Sequence, residues 1–538
     1  MRVRYPVRAH CFSRCQSRTP LVPVEARTIG SGEAMETPVR WMKRSPHFVI
    51  VAVWLLWALP ASAGRIVLIG NEFLVNTATT GDQVAPAAAT LSDGSFVVVW
   101  QSTEELGYCR RAYELLGTTI RCSGDEDCRP DEAYPFRDDY CDSVSGIFGQ
   151  RFDSDAEKLG TEFRLDESAI ALRSVPDVVS LPGGSFVVAW YDPLGTIDVR
   201  IFDAEGVPRG SLFQLGQPGN YPRSPRLASD ANGRFIIVWT ERNNAIRAAR
   251  YSSSGEVLQS EITVKDPDAF LNHINGKSVA MNSTGEFIVT WTREHSSSVH
   301  FRRFQPDGIL TEPTIVVDGV GDSYGQRVAL YDDAQFMVAW EAYYTVSGGF
   351  DYVRRIRGQW YDPDARPLGM QFPISNGNAR FDAVGAIEPL SGHEALVAWS
   401  GSHQIAARVF DAHEGPQSEP TLVSGANVGG SGVDATVLSS DQSHQFVVVW
   451  RDSRRFSGGD ADMDVFARRA RFERGNLCVA DCNGDGIVSI NELVTSVSIA
   501  LGTEPHASCP RIDVNGDGFV TISELSQGVK AALEGCIG

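Results

Sequence analysis

Hydrophobic residues along this chain fall into a recurring five-residue run, Phe96-Val-Val-Val-Trp100. It returns at Phe186 to Trp190, Phe235 to Trp239, Phe287 to Trp291, Phe336 to Trp340, Ala395 to Trp399 and Phe446 to Trp450. The tryptophans are spaced 90, 49, 52, 49, 59 and 51 residues apart, which makes seven units, one stretched by an insertion. The run is apolar at nearly every position, and that pattern predicts a strand buried on both faces. Before it comes a segment of small apolar residues, such as Ser278-Val-Ala-Met281 or Arg327-Val-Ala-Leu330. Asp93-Gly94, Gly183-Gly184, Asn232-Gly233 or Thr284-Gly285 then predicts a hairpin turn in which Gly supplies a positive φ. A third strand ends in an aromatic residue (Phe152, Phe202, Tyr251, Phe304, Tyr361, Phe410, Phe472), and a fourth follows, such as Glu162-Phe-Arg-Leu165 or Thr314-Ile-Val-Val317.

Four short antiparallel strands in about 50 residues, repeated seven times, predict an all-β, seven-bladed β-propeller over residues 64–475. The seventh unit ends at Phe472-Glu-Arg-Gly475 without a fourth strand. Glu72-Phe-Leu-Val75 matches Glu162-Phe-Arg-Leu165, so residues 66–77 are expected to complete the last blade and remove an open sheet edge. From the second-strand Trp to the third-strand aromatic is 11–13 residues in units two, three, four and six. In units one, five and seven it is 52, 21 and 22, so long loops decorate one face. The unit-one insertion, residues 103–145, holds Cys109, Cys122, Cys128 and Cys141 and reads as a disulfide-ordered recognition lobe. Gly321-Asp-Ser-Tyr-Gly325 fits a nucleophile pattern, but a strand rather than a helix follows it, so it reads as an interblade loop.

Phe96 to Gln101 with Gly146-Ile-Phe-Gly-Gln-Arg-Phe-Asp153 resembles the propeller repeats of large exported bacterial proteins. Those repeats often stand beside calcium-binding or adhesion modules, so the resemblance implies the fold and no single activity.

Residues 1–63 read as a leader: Lys43 and Arg44, the 12-residue apolar run Phe48 to Leu59, and Pro60-Ala-Ser-Ala63 form a secretory signal cleaved after Ala63. That run is too short to span a bilayer, so no transmembrane segment is expected after cleavage. The expected location is secreted, extracellular or cell-surface, with the periplasm as the variant for a double-membraned cell. The 538-residue chain carries a formal charge of −19. Cleavage leaves 39 Lys/Arg against 64 Asp/Glu, or −25, which argues against binding nucleic acid through its phosphates. Eight cysteines remain in two groups of four, the second being Cys478, Cys482, Cys509 and Cys536. Behind an export signal such groups read as disulfides, with the pairing open.

Residues 476–538 carry the clearest chemistry. Asp481, Asn483, Asp485, Ile487, Ser489 and Glu492 stand at positions 1, 3, 5, 7, 9 and 12 of one loop, and Asp513, Asn515, Asp517, Phe519, Thr521 and Glu524 do so in a second. Ca²⁺ takes six to eight oxygens: side chains at 1, 3 and 5, a carbonyl at 7, a water-mediated contact at 9 and a bidentate Glu at 12, with Gly486 or Gly518 making the turn. Two Ca²⁺ ions are expected. Helices follow both loops, with Leu493, Val494, Val497, Ala500 and Leu501 in one apolar stripe and Leu525, Val529, Ala532 and Leu533 in the other. Little helix precedes either loop, so residues 478–536 resemble dockerin modules more than paired EF-hands. That resemblance implies a cohesin-type partner. The chain departs from it in carrying Glu at position 12, where dockerins carry Asp, and in its cysteines, which favours a calcium-stabilised terminal module. Asp460, Asp462 and Asp464 could hold a further cation or form a solvated acidic loop. The function expected is a non-catalytic binding or scaffold module for a protein or glycan; the alternative is a carbohydrate-active hydrolase or lyase acting on the long-loop face.

Overall fold

Strand formation follows the hydrophobic pattern, and blade 1 shows how. In the computed structural model, Phe96–Thr103 is its second strand, bounded by a turn in which Gly94 has φ +83° and the Asp93 carboxylate accepts the Ser95 N–H at 3.0 Å. The described residues run from 64 to 534. They omit 104–106, 111–120, 123–139, 143–144, 167–174, 193–194, 267–273, 294–297, 312–314, 319–322, 346–351, 376–381, 391, 402–403, 414, 426–435, 440–443, 454–461, 474–478, 484–486 and 514–518. The stretch expected to be a leader, residues 1–63, therefore lies outside the described residues.

Blade 1 orders its strands Gln83–Thr90, Phe96–Thr103, Ser145–Phe152 and Lys158–Arg164. Six further sheets repeat this order, with inner strands Asp177–Ser180, Arg223–Ser229, Ile274–Met281, Ser323–Leu330, Asp382–Pro389 and Thr436–Ser439. Each inner strand touches the next in turn, and that of blade 7 touches that of blade 1, so the seven sheets form a closed ring. Phe96, Val98 and Trp100 pack on Val449, Val465 and Ala467 of blade 7, while Val97 and Val99 pack on Phe186, Val188 and Trp190 of blade 2. Neighbours on both sides are the physical reason for a strand with no polar face. At about 1.5–3 kcal/mol per fully buried large side chain, these interblade layers are the main store of stability.

Register pairs the first residue of each second strand with the aromatic closing the third. Phe96 stacks on Phe152 at 4.9 Å, Phe287 on Phe304 at 4.7 Å and Phe336 on Tyr361 at 4.8 Å. Blade 7 differs. Phe446 faces Ala470, so its third strand is slipped by two residues relative to the Phe472 pairing the repeat suggests. The slip moves Arg469 into the place held by Arg151, Arg250 and Arg303 in blades 1, 3 and 4. Each of these guanidinium groups donates to a carbonyl in the outer turn of the following blade: Arg151 to Glu205, Arg250 to Pro306, Arg303 to Pro363, and Arg469 to Asp155 at 2.8 Å. The sequence reading missed this recurring tie because the slip hides the fourth copy.

The outer strand of blade 7 is Arg65–Leu74, paired antiparallel with Asp464–Glu473. Beyond it Asn76, fully buried, donates to Asp464 Oδ1 at 2.7 Å and accepts the Val465 N–H at 2.8 Å. Ser375 and Ser424 accept the N–H groups of Ile356 and Ile405 in blades 5 and 6 in the same way. The N-terminal segment thus repeats a polar cap that other blades build from their own outer strand.

Two sequence expectations are corrected. The long unit-five loop is largely strand: Phe336–Thr345 and Tyr352–Tyr361 form a hairpin of two ten-residue strands that outreaches its neighbours. Likewise Ser323, Tyr324 and Gly325 open an inner strand rather than forming an interblade loop. Some hairpin turns also adopt positive φ without glycine, at Ala334, His393 and His444.

The C-terminal module has helices α1 (Ile490–Ala500) and α2 (Ile522–Glu534) around a small core of Ala480, Val488, Cys509 and Ile512. Cys482 and Cys509 form a disulfide, while Cys478 and Cys536 lie outside the described residues. The apolar stripes are also corrected. Leu493, Leu525 and Ala532 pack on this core, but Val494, Val497, Ala500, Leu501, Val529 and Leu533 are exposed. The helices instead turn Glu492, Ser496 and Glu524 inward, and a Cβ on buried Gly528 would stand 2.8 Å from that of Ala480. Small residues face inward because the elements approach closely, and the glutamates because they serve the loops.

Candidate functional site

The hairpins joining second to third strands all leave the ring at the end marked by the tryptophans. In blade 1 the insertion builds its own three-stranded sheet from Gly107–Arg110, Arg121–Cys122 and Tyr140–Asp142, whose register sets Cys109 opposite Cys141. Cys128 lies outside the described residues. In blade 7, Asp460 is outside them, while the other members of the alternating acidic run hold the chain ends together. Asp462 Oδ2 accepts the Gly81 N–H at 3.2 Å, and Asp464 is buried against Asn76. Those two carboxylates are engaged in the fold.

At the root of the blade-5 hairpin, Glu341 is buried one residue past Trp340. Burial pushes its carboxyl above the usual range, partly offset by Arg354, 3.0 Å away, and by Arg327. The Arg354 guanidinium also lies 5.8 Å from the Tyr343 ring centroid. In blade 2, Asp198 is pushed up to about 6 by burial and by the adjacent Asp192, against a Gln214 amide that favours its charged form at 2.8 Å. A proton-holding carboxyl beside a carboxylate is the pairing that glycoside hydrolysis uses. At 7% exposure, Asp198 is closed to a polymer chain.

Glu388, on the inner strand of blade 6, is pushed up to about 8 by burial alone. Its folded pKa exceeds the unfolded one, so its contribution to stability is complete below about 4.3 and is lost as pH rises through 8. Glu388→Gln should melt like the parent at pH near 4 and several degrees higher at pH near 9, a difference of about 2 kcal/mol. Parallel melting curves across that range for parent and variant would refute this.

In the C-terminal loops, Asp481, Glu492, Asp513 and Glu524 are all buried, at most 6% exposed as residues or side chains. Asp485, Asn515 and Asp517 lie outside the described residues. Glu492 accepts the N–H groups of Asn483 at 3.0 Å and Ser489 at 2.8 Å, and the Ser489 hydroxyl at 2.9 Å. Burial pushes its carboxyl up, but these donors outweigh burial and hold it below the usual range. Glu524 accepts the Thr521 N–H at 2.7 Å and its hydroxyl at 2.8 Å. Each glutamate thereby closes a capping box at the start of its helix, a role the sequence reading overlooked in Ser-Ile-Asn-Glu and Thr-Ile-Ser-Glu. Arg511 Nη1 lies 3.3 Å from Asp481 Oδ2, and His506 Nε2 lies 3.1 Å from Asp513 Oδ2. Among the described residues, no three His, Cys, Asp or Glu side chains gather closely enough to hold a metal. The side chains described there offer hard oxygen donors, the kind Ca²⁺ prefers.

No family model matches the chain, and no curated protein matches it either. Among solved structures it is similar to a protein of unknown function from Dyadobacter fermentans, at 10% identity over 76% of this chain and 100% of the other, with a TM-score of 0.41. It is similar to an ulvan lyase of a polysaccharide lyase family at 9% identity, over 73% of this chain and 95% of that one, with a TM-score of 0.44. An α-L-arabinanase of Penicillium chrysogenum shares 15% identity over 54% of this chain and 92% of the other, with a TM-score of 0.38. Likeness at this level carries no activity across, and the ring rests on its own strand pairing. Among the described residues, no helix is long and apolar enough to cross a membrane.

Proposed function

We propose that this is an exported, calcium-binding protein whose propeller is a non-catalytic binding or scaffold module for a protein or glycan. The observation that carries it is the one-sided elaboration of the ring: an insertion with its own sheet in blade 1 and an outreaching hairpin in blade 5 leave the same face. Rigid blades presenting variable hairpins suit recognition. The half-buried pair Tyr343 and Arg354 offers an aromatic ring and a fixed fork of donors, fit for a sugar ring with polar or acidic substituents. The Cys482–Cys509 disulfide agrees with an oxidising compartment. The dockerin-like module is read as a terminal unit in which two Ca²⁺ ions are held by Asp481, Asn483, Asp485, Glu492 and the Ile487 carbonyl, and by their second-loop counterparts. Bound there, Ca²⁺ would neutralise the clustered carboxylates and fix each loop against its helix.

The mature protein, screened on a glycan array and with chromogenic glycosides, should bind without turnover. Turnover of any of these substrates would replace this reading with a carbohydrate-active enzyme. Capture of neither glycan nor protein by the hairpin face would remove the reading altogether.

A further inference from the structure

The innermost strands carry an unusual set of charges. On each strand, one residue pairs with the fourth position of the F-V-V-x-W run, so these residues share one level of the ring. At this level blades 2, 3 and 5 place Asp177, Arg226 and Arg327, and blade 4 adds Lys277 one residue earlier in its strand. Blades 1, 6 and 7 place Ala87, Ala386 and Thr436 at that register, none of them charged. Around this level three basic side chains meet one carboxylate, in a chain whose total charge is −19.

The groups sense one another across the axis. Burial pushes the Asp177 carboxyl up, while Arg226 beside it and Arg327 three blades away both favour its charged form. Lys277 is buried and donates to the carbonyls of Ser224 and Arg223; burial first, then repulsion by Arg226, drives its ammonium well below the usual range. Arg327 is committed to the Gly385 carbonyl at 2.8 Å. Arg226 is different. Half-buried on an inner strand, its one hydrogen bond among the described residues is a 3.5 Å contact to the neighbouring Pro225 carbonyl. Asp177, which accepts the Leu227 N–H at 2.7 Å, is the one carboxylate at this level. The cluster is continuous with the hairpin face. Glu341 lies over Gly325, on the same strand as Arg327, and links through Arg354 to Tyr343.

We infer that the axial mouth on the hairpin face binds an acidic saccharide, with a uronate carboxylate or sulfate ester held by Arg226, Arg327 adding its positive charge nearby, and a sugar ring laid on Tyr343. The inference rests on the hairpin face being a binding face, and it names the ligand class. A guanidinium with spare donors in a partly dry site is a strong oxyanion partner.

The test is calorimetry on the full mature chain with four probes: tetragalacturonate, a chondroitin sulfate tetrasaccharide, neutral cellotetraose and inorganic sulfate. At least one acidic tetrasaccharide should bind, and cellotetraose at least tenfold more weakly. Arg226→Gln should weaken that binding about 10- to 100-fold without moving the melting temperature, since loss of a charge-assisted contact is about 1.5–3 kcal/mol. Asp177→Asn should tighten it severalfold by removing the opposing charge. A merely structural Arg226 and Asp177 would not give effects of opposite sign. Equal binding of cellotetraose, unchanged in both variants, would sink the oxyanion assignment and leave the hairpin face a binding face. Binding of inorganic sulfate alone would reduce the site to a small-anion site and refute the saccharide. Binding of none of the four overturns the inference, while a protein partner captured by the hairpins would still uphold the broader reading.

Discussion

Deleting residues 64–76 is expected to abolish the folded ring. The deletion removes the outer strand of blade 7, the Asn76 cap and the strand's register with Asp464–Glu473. It leaves a ten-residue edge strand with unpaired N–H and C=O groups, a template for aggregation. It also removes Val75, fully buried in the native ring, and so uncovers Phe96, Trp100 and Phe152. A milder variant separates closure from general damage. Asn76→Leu keeps the strand but withdraws a donor from buried Asp464 and an acceptor from the Val465 N–H, at about 2–4 kcal/mol. Ser424→Ala, which removes the same kind of cap within blade 6, should be milder, at about 1 kcal/mol, because no carboxylate is involved. Size-exclusion profiles and thermal melts decide the matter. A deletion protein that stays monomeric and melts with the parent would show that the ring does not depend on its N-terminal strand.

Calcium should raise the melting temperature of the C-terminal module and leave the propeller transition in place. A module of about 60 residues buries too little apolar surface to be stable without staples, and this one has a small core and a disulfide. With affinities of ~10⁻⁴–10⁻³ M, about 5 mM Ca²⁺ would add about 1–2 kcal/mol per site relative to chelator. Glu492→Gln and Glu524→Gln discriminate metal binding from capping, since Gln preserves a capping box but supplies no second charged oxygen. Each should melt near the parent in chelator and lose half the calcium-dependent gain; the double variant should lose all of it. Calorimetric scans that do not change on adding calcium to the parent would remove the cofactor from the proposal.

The seven-fold repeat was legible because burial on both faces leaves no room for polar alternation, so each second strand shows itself as an unbroken apolar run. The glycine turns were legible where glycine marks them, and invisible at Ala334, His393 and His444, where tertiary packing imposes the same φ on other residues. Loop length alone misjudged blade 5, because a long hairpin and a long loop use the same number of residues.

By itself the sequence determined the repeat, the strand type and the oxygen-donor spacing of the two loops proposed to hold calcium, since each is a local pattern. Only the tertiary structure decided what depends on distant segments meeting. The two-residue slip brings Arg469 to Asp155, and Asn76 reaches Asp464 across the whole chain. Charges from four separate blades gather around one axis because closing a ring makes neighbours of residues that sequence distance holds apart.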